Sequence, residues 1–290
     1  MSQSYLAGII SGTMTPLTGQ VTGYVEYLVV AGGGGATGGF GAGGGAGGLL
    51  TGTGYSITPG SAITVTIGGG GAGALISSNG TATSGQNSVF GSITSTGGGG
   101  AGQATAGLSG GSGGGSSDAD VSPASGTSGQ GNNGGVSTST LVAGAGGGGA
   151  GSVGTNTRGT SASQIAGNGG TGLVSSITGS PIQYAGGGGG APFIYSGNTG
   201  VAGLGVAGGG NGSNTGAGAS GTSNTGGGGG GGAYNGGHFT GGNGGSGIVI
   251  IRYPANCAPP ASFGGSNVPQ VLYSNGYQVY IWTGSGTVTF

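Results

Sequence analysis

The side chains able to do acid–base, nucleophilic or metal chemistry are few: Glu26, Asp118, Asp120, Arg158, Arg252, His238 and Cys257, with no Lys and a formal net charge of -1 over 290 residues. Asp118 and Asp120, in SSDADVSP, have the chemistry of metal ligands or of an acid pair. No further carboxylate or His stands near them in sequence, so a solvated loop is the better reading. His238 has the chemistry of a base, but no nucleophile and carboxylate set accompanies it. Cys257 is alone, which excludes an internal disulfide and a multi-cysteine metal site and leaves a small apolar side chain as its simplest role. GxGxxG patterns recur by chance in so glycine-rich a chain and indicate no dinucleotide or phosphate loop. Two Arg cannot build a nucleic-acid patch, which depends on clustered cations. The expectation is a protein that is not an enzyme, holds no cofactor and no metal, and binds no nucleic acid.

The elements that position these residues are dominated by glycine, 91 of 290 residues against about 7% in ordinary proteins. The glycines gather in eleven runs, among them residues 32–35, 41–48, 186–190, 226–232 and 241–247, separated by segments rich in Ser, Thr and Asn. Collagen is excluded, because it needs Gly at every third position and abundant Pro. Ordering each Gly backbone costs about 1–2 kcal/mol, so disorder is the default unless something systematic offsets it. Gly strands packed side by side have no Cβ to hold them apart, and their N–H and C=O groups can pair with several neighbours. The expected fold is therefore a polyglycine II helix bundle, mainly non-α and non-β, with flanking antiparallel β-strands. A six-residue run in that conformation spans roughly 19 Å at about 3.1 Å per residue.

The flanks read differently from the runs. VEYLVVA (residues 25–31) precedes the first run and GIVIIRYP (residues 247–254) follows the last; both are β-branched and aromatic, and they are expected to pair. YSITPGSAITVTIG (residues 55–68) reads as a hairpin around Thr58, Pro59 and Gly60. Near the C-terminus, Asn275 and Gly276 predict a type I′ turn between strands at 271–273 and 277–282, with a last strand at 287–290. Three parts follow: an N-terminal attachment segment (1–23), a glycine-rich domain (24–254) and a small C-terminal β segment (255–290). The apolar runs are four or five residues long, far below the roughly 20 needed to cross a bilayer, so a membrane-spanning protein is not expected. The opening MSQSYLAGII lacks a basic region and a full apolar stretch, so no cleavable secretion signal is expected.

The series VEYLVVAGGGG, GAGGGAGGLL, ITVTIGGGGAG, SVFGSITSTGGGGAG, LVSSITGSPIQYAGGGGG, TSNTGGGGGGG and GGSGIVIIRYP resembles the glycine-rich domain of phage tail-fibre and receptor-binding proteins, over residues 25–254. Its architecture also resembles the polyglycine II tip adhesins of phage long tail fibres, whose runs are joined by variable, host-reading loops. That resemblance implies a virion location, attachment to fibre or baseplate proteins through the N-terminus, and a bacterial surface receptor, either a glycan or an outer-membrane protein. Fibres are commonly threefold, which is compatible with a homotrimer, although no heptad pattern is present.

If the strands at 25–31 and 248–253 pair at one end, the chain must cross the bundle an even number of times, so one of the eleven runs is miscounted. Counting inward from each terminus avoids the ambiguous middle. It puts ATGGF (36–40), APFIYSGNT (191–199) and AYNGGHFT (233–240) together at the far end. Those segments hold Phe40, Phe193, Tyr195, Tyr234, His238 and Phe239, the expected receptor-binding residues, since rigid rings give contact area at little entropic cost. The same rings could instead cap the bundle end. Three functional expectations follow. The first is a non-enzymatic tail-fibre or adhesin-type protein. The second is a purely structural appendage, decoration or surface-filament subunit. The third, ice binding, is disfavoured by long irregular loops.

Overall fold

The computed structural model describes residues 20–75, 81–117, 121–138, 143–195 and 197–290. Most of the expected attachment segment, and both Asp118 and Asp120, lie outside the described residues.

The β-branched, aromatic flanks form strands and pair as expected. Strand Tyr24–Val30 runs antiparallel to Ile248–Pro254, from Glu26 opposite Arg252 to Val30 opposite Ile248. They are the centre of a five-stranded sheet whose spatial order is Gln270–Ser274, Tyr277–Trp282, Ile248–Pro254, Tyr24–Val30 and Leu49–Ser56. A second five-stranded sheet has the order Ser262–Gly264, Gly286–Thr289, Ala62–Thr66, Ser88–Phe90 and Ile93–Ser95. Alternation assigns the faces. Val25, Val29, Val249, Ile251, Tyr253, Tyr280 and Trp282 of the first sheet meet Ile63, Val65, Phe90, Val288 and Phe290 in one core. The opposite face of the first sheet, with Leu28, Val30, Leu49, Ile248, Ile250 and Val279, is covered by Ala46, Ile177, Tyr184 and Ala185.

The expected fold class is overturned. The described residues form nineteen strands in six sheets and no helix; the protein is all-β with several antiparallel sheets, not a polyglycine II helix bundle. The residues that carry side chains organise it, because burying two apolar faces of a sheet is a larger and more specific driving force than backbone pairing alone. The glycine runs are non-helical connections between strands. Their polar groups are nonetheless satisfied. From Gly32 to Thr37, successive N–H groups donate to the carbonyls of Gln86, Gly245, Gly45, Thr83, Gly242 and Ala42 at 2.8–3.2 Å, so each run bonds to several neighbours in turn.

A second correction concerns residues 55–68. Leu49–Ser56 pairs with Tyr24–Val30, whereas Ala62–Thr66 pairs with Gly286–Thr289 and Ser88–Phe90. The reversal at Thr58 to Gly60 therefore hands the chain from one sheet to the other instead of closing a hairpin. Gly60, at φ +77°, makes the turn and donates its N–H to the carbonyl of Phe290. The Asn275–Gly276 turn forms as expected, with φ +51° and +80° and Ser274 opposite Tyr277, as a type I′ turn requires. Residues 255–290 supply two strands to each large sheet, and their Tyr280 and Trp282 are buried in the shared core. Among the described residues no helix is long and apolar enough to cross a membrane.

Two charges meet across the central strands. Arg252 Nη2 and Nε lie 2.7 and 2.9 Å from Glu26 Oε2, Arg252 Nη1 donates to the carbonyl of Ser176 at 3.1 Å, and the guanidinium lies 4.5 Å from the centre of the Tyr277 ring. The core holds a polar thread as well. The Tyr253 hydroxyl lies 3.1 Å from that of Tyr280, which donates to Gln278 Oε1, and Gln278 Nε2 donates to the carbonyl of Cys257.

Two predictions follow from this packing. A Cβ at Gly188 would penetrate the carbonyl of Gly229, whereas one at Gly237 would meet nothing within 4 Å. Gly188→Ala should therefore cost about 1–3 kcal/mol and Gly237→Ala less than about 0.5 kcal/mol, as read from denaturant midpoints. Burial first, and then the Tyr280 hydroxyl, hold the Tyr253 phenol far above its usual range. An acid whose folded value is raised gives full stability below its unfolded value, near pH ~10, and loses it as pH rises beyond. Stability should fall by about 1.4 kcal/mol per pH unit above that point for this residue. Denaturant unfolding at pH 8 to 11.5 should show a shallower decline in Tyr253→Phe.

Candidate functional site

Three glycine runs deliver three loops to one place. The run at 32–35 leaves strand Tyr24–Val30 and returns antiparallel through 41–48: Ala31 N–H donates to Gly48, Gly34 to Gly45 and Thr37 to Ala42. Its reversal is at Phe40. The run at 186–190 leaves Tyr184, which is packed under the first sheet, and ends at Phe193. The run at 226–232 ends at Tyr234. These runs touch directly, with Gly41 N–H donating to Gly232 at 2.9 Å, Ala191 to Gly41 at 2.8 Å and Gly231 to Gly189 at 2.8 Å.

Each loop is fixed by local bonds. Ala42 N–H donates to Thr37 Oγ1 at 2.9 Å, closing the turn that carries Phe40. Phe40 sits at φ +62° after Gly39 at +53°, a left-handed conformation uncommon for a bulky side chain. Phe193 N–H donates to Oε1 of the buried Gln164 at 2.9 Å. Phe193–Ile194 pairs parallel with Tyr234–Asn235. Tyr234 forms a bridge to His238 across a tight turn with Gly236 at φ +68°. Phe239 accepts the Gly39 N–H and donates its own to Ala233, both at 3.1 Å.

Five of the six expected residues come into ring contact. Phe193 and Tyr234 are stacked at 4.5 Å, and Phe40 meets Phe193 edge-on at 5.4 Å. Tyr195 stacks against Phe193 at 6.1 Å; His238 lies 4.8 Å from Tyr234 and 6.5 Å from Phe40. Phe40, Phe193 and Tyr234 are half-buried, while Tyr195 and His238 are exposed. Phe239 joins the group through its backbone; its ring makes none of these contacts and is also exposed. Sequence reading missed Thr37 and Gln164, which hold the turns. Gln164 stands in the polar stretch TSASQIAG, where nothing in the pattern marks it as buried.

The imidazole of His238 lies against the rings of Tyr234 and Phe40. Among the described residues no group of three or more His, Cys, Asp or Glu could hold a metal. A concavity of about 480 Å³ lies away from the rings, at the sheet end between Leu49, Thr51, Thr53 and Leu173 to Ile177, with the Glu26–Arg252 pair on its wall. The donors of Arg252 that face this groove are already committed to Glu26 and to main-chain carbonyls.

No curated protein and no solved structure matches the chain. A family model described as a glycine-rich domain matches residues 10–254, most of the chain, and the protein therefore belongs to the glycine-rich domain family.

Proposed function

We propose that this protein is a non-enzymatic virion appendage of the phage tail-fibre or adhesin type, attached through its N-terminal residues and reading a bacterial surface with the loops around Phe40, Phe193 and Tyr234. The observation that carries the reading is the convergence of aromatic side chains from three loops far apart in sequence. Tyr195 is 58% exposed at its edge, and His238 and Phe239 are exposed beside it. Aromatic groups that served only to seal the ends of the glycine runs would be drawn inward, because exposing a ring forgoes about 25 cal/mol for each Å² left in water. Rings that are rigid, partly supported and partly open are the usual composition of a recognition surface. The resemblance to phage tail-fibre glycine-rich domains supplies the setting: virion localisation, a fibre or baseplate partner, and a homotrimer as the assembly compatible with threefold fibres.

The alternative is a structural appendage or filament subunit in which the half-buried Phe40, Phe193 and Tyr234 cap the runs and the exposed rings have no ligand. Particles carrying Tyr195→Ser together with Phe239→Ser separate the two, because neither ring is buried and assembly should be preserved. Adsorption to host cells should fall at least tenfold while electron microscopy shows intact appendages. Unchanged adsorption by such particles would establish the structural role instead.

A further inference from the structure

We propose, resting on the recognition reading above, that the ligand of this cluster is an uncharged glycan, with the open face of Tyr195 as its stacking platform. Three observations point to this chemistry. The first is the arrangement of rings. Tyr195, Phe193 and Tyr234 form a compact three-ring cluster: Phe193 stacks on Tyr234 at 4.5 Å, and Tyr195 lies 6.1 Å from Phe193 at 29° and 6.4 Å from Tyr234 at 50°. Phe193 and Tyr234 are half-buried and both support Tyr195, which is 58% exposed. A pyranose has one face of C–H groups, polarised positive by the ring and hydroxyl oxygens, and such a face complements the negative face of an aromatic ring.

The second is a set of uncommitted polar groups around the rings. The hydroxyls of Tyr195, Tyr234 and Thr240, the side-chain amide of Asn235 and the ring nitrogens of His238 make none of the side-chain hydrogen bonds of this end of the molecule, where Thr37, Gln164 and Asn198 are engaged with the main chain. Sugar hydroxyls are both donors and acceptors, and mixed neutral groups of this kind match them.

The third is the placement of charge. Among the described residues the charged side chains are Glu26, Arg158 and Arg252. Glu26 and Arg252 pair within the first large sheet. Arg158 is on the outer strand of a three-stranded sheet, with Ser163–Ile165 between it and Thr199–Val201. A phosphorylated or carboxylated saccharide would have to leave water here without a cation from the cluster, at a cost that paired charges avoid. An outer-membrane protein loop is the weaker fit, because stable protein interfaces bury about 800 Å² on each partner and this cluster offers three exposed rings, Tyr195, His238 and Phe239, with a polar rim. The left-handed Phe40, held by the Thr37 turn, keeps the supporting rings in place before any ligand arrives, which lowers the ordering cost of binding.

The test uses the full chain, fluorescently labelled, and a panel of intact Gram-positive and Gram-negative cells. Adsorption should survive proteinase treatment of the cells, disappear after periodate oxidation of their vicinal diols, and change less than threefold between low and high salt. Tyr195→Ala should weaken it at least tenfold and Tyr195→Trp should restore it, with thermal unfolding of both variants matching the parent. Adsorption lost to proteinase but resistant to periodate overturns the glycan assignment and leaves recognition standing. Steep weakening by salt overturns the uncharged character, and indifference to Tyr195→Ala overturns the platform. Absence of adsorption to every cell type overturns this inference and the recognition reading together.

Discussion

The structure depends on main-chain groups approaching one another at a distance that admits no side chain. Gly188 shows the constraint in one place. Its N–H donates to Gly44 at 3.0 Å, its carbonyl accepts from Gly147 at 2.9 Å, and a Cβ would strike the carbonyl of Gly229. Gly44 in turn donates to Gly229 at 2.8 Å. Each net hydrogen bond contributes only about 0.5–1.5 kcal/mol, while leaving a buried donor unpaired costs about 1–3 kcal/mol. Their removal from water is therefore tolerable only if nearly every group finds a partner, and that requires neighbours on several sides. Such an interior has only scattered alanine methyls, and no large apolar side chains, to drive its own collapse. It needs an attached core that has them, and the two stacked sheets provide it.

This division of labour explains which parts were legible in the sequence. The opening and closing strands were readable because Val25, Leu28, Val249 and Ile251 alternate or run together as buried strands do, and their pairing followed from their positions before the first run and after the last. Asn275 and Gly276 were readable because few residue pairs adopt positive φ twice. The sheet assignment of residues 55–68 was not readable. Alternation in YSITPGSAITVTIG reports which face is buried, not which strand lies alongside, and Ile57, Ile63 and Val65 face the shared core in either arrangement. The fold class failed for a related reason. A glycine run has no side-chain period, so its expected conformation rested on backbone chemistry alone, while the regular elements of the molecule came from the residues between the runs.

The candidate site was more legible than its supports. Counting passes inward from the paired terminal strands was enough to bring residues 36–40, 191–199 and 233–240 together, and the ring contacts among Phe40, Phe193, Tyr195, Tyr234 and His238 show those loops meeting. Phe239 has the right neighbourhood without a ring contact. Thr37 and Gln164 escaped notice because a polar residue in a polar loop has no pattern to mark it; only its hydrogen-bond partner does.

Glycine segments raise a problem of register that ordinary strands do not have, since nothing distinguishes one position from the next. The polar residues interspersed with the runs supply the missing marks. Gly73 N–H donates to Asn243 Oδ1 at 2.8 Å, Leu204 N–H to Asn168 Oδ1 at 2.9 Å, and Gly205 N–H to Asn211 Oδ1 at 2.9 Å; Asn132 Nδ2 donates to the carbonyl of Gly149 at 2.9 Å. Each bond fixes one run or loop, at a single residue, to another or to its own return, so a slip by one position would leave a side-chain amide and a main-chain group unpaired together. The Glu26–Arg252 pair and the Val30–Ile248 register set the starting point at the sheet end. From there the distance to Phe40 is fixed by a run that can neither stretch nor slide without losing several bonds at once. The rings at the far end are thus placed by strands that do not touch them, through a connection made mostly of glycine.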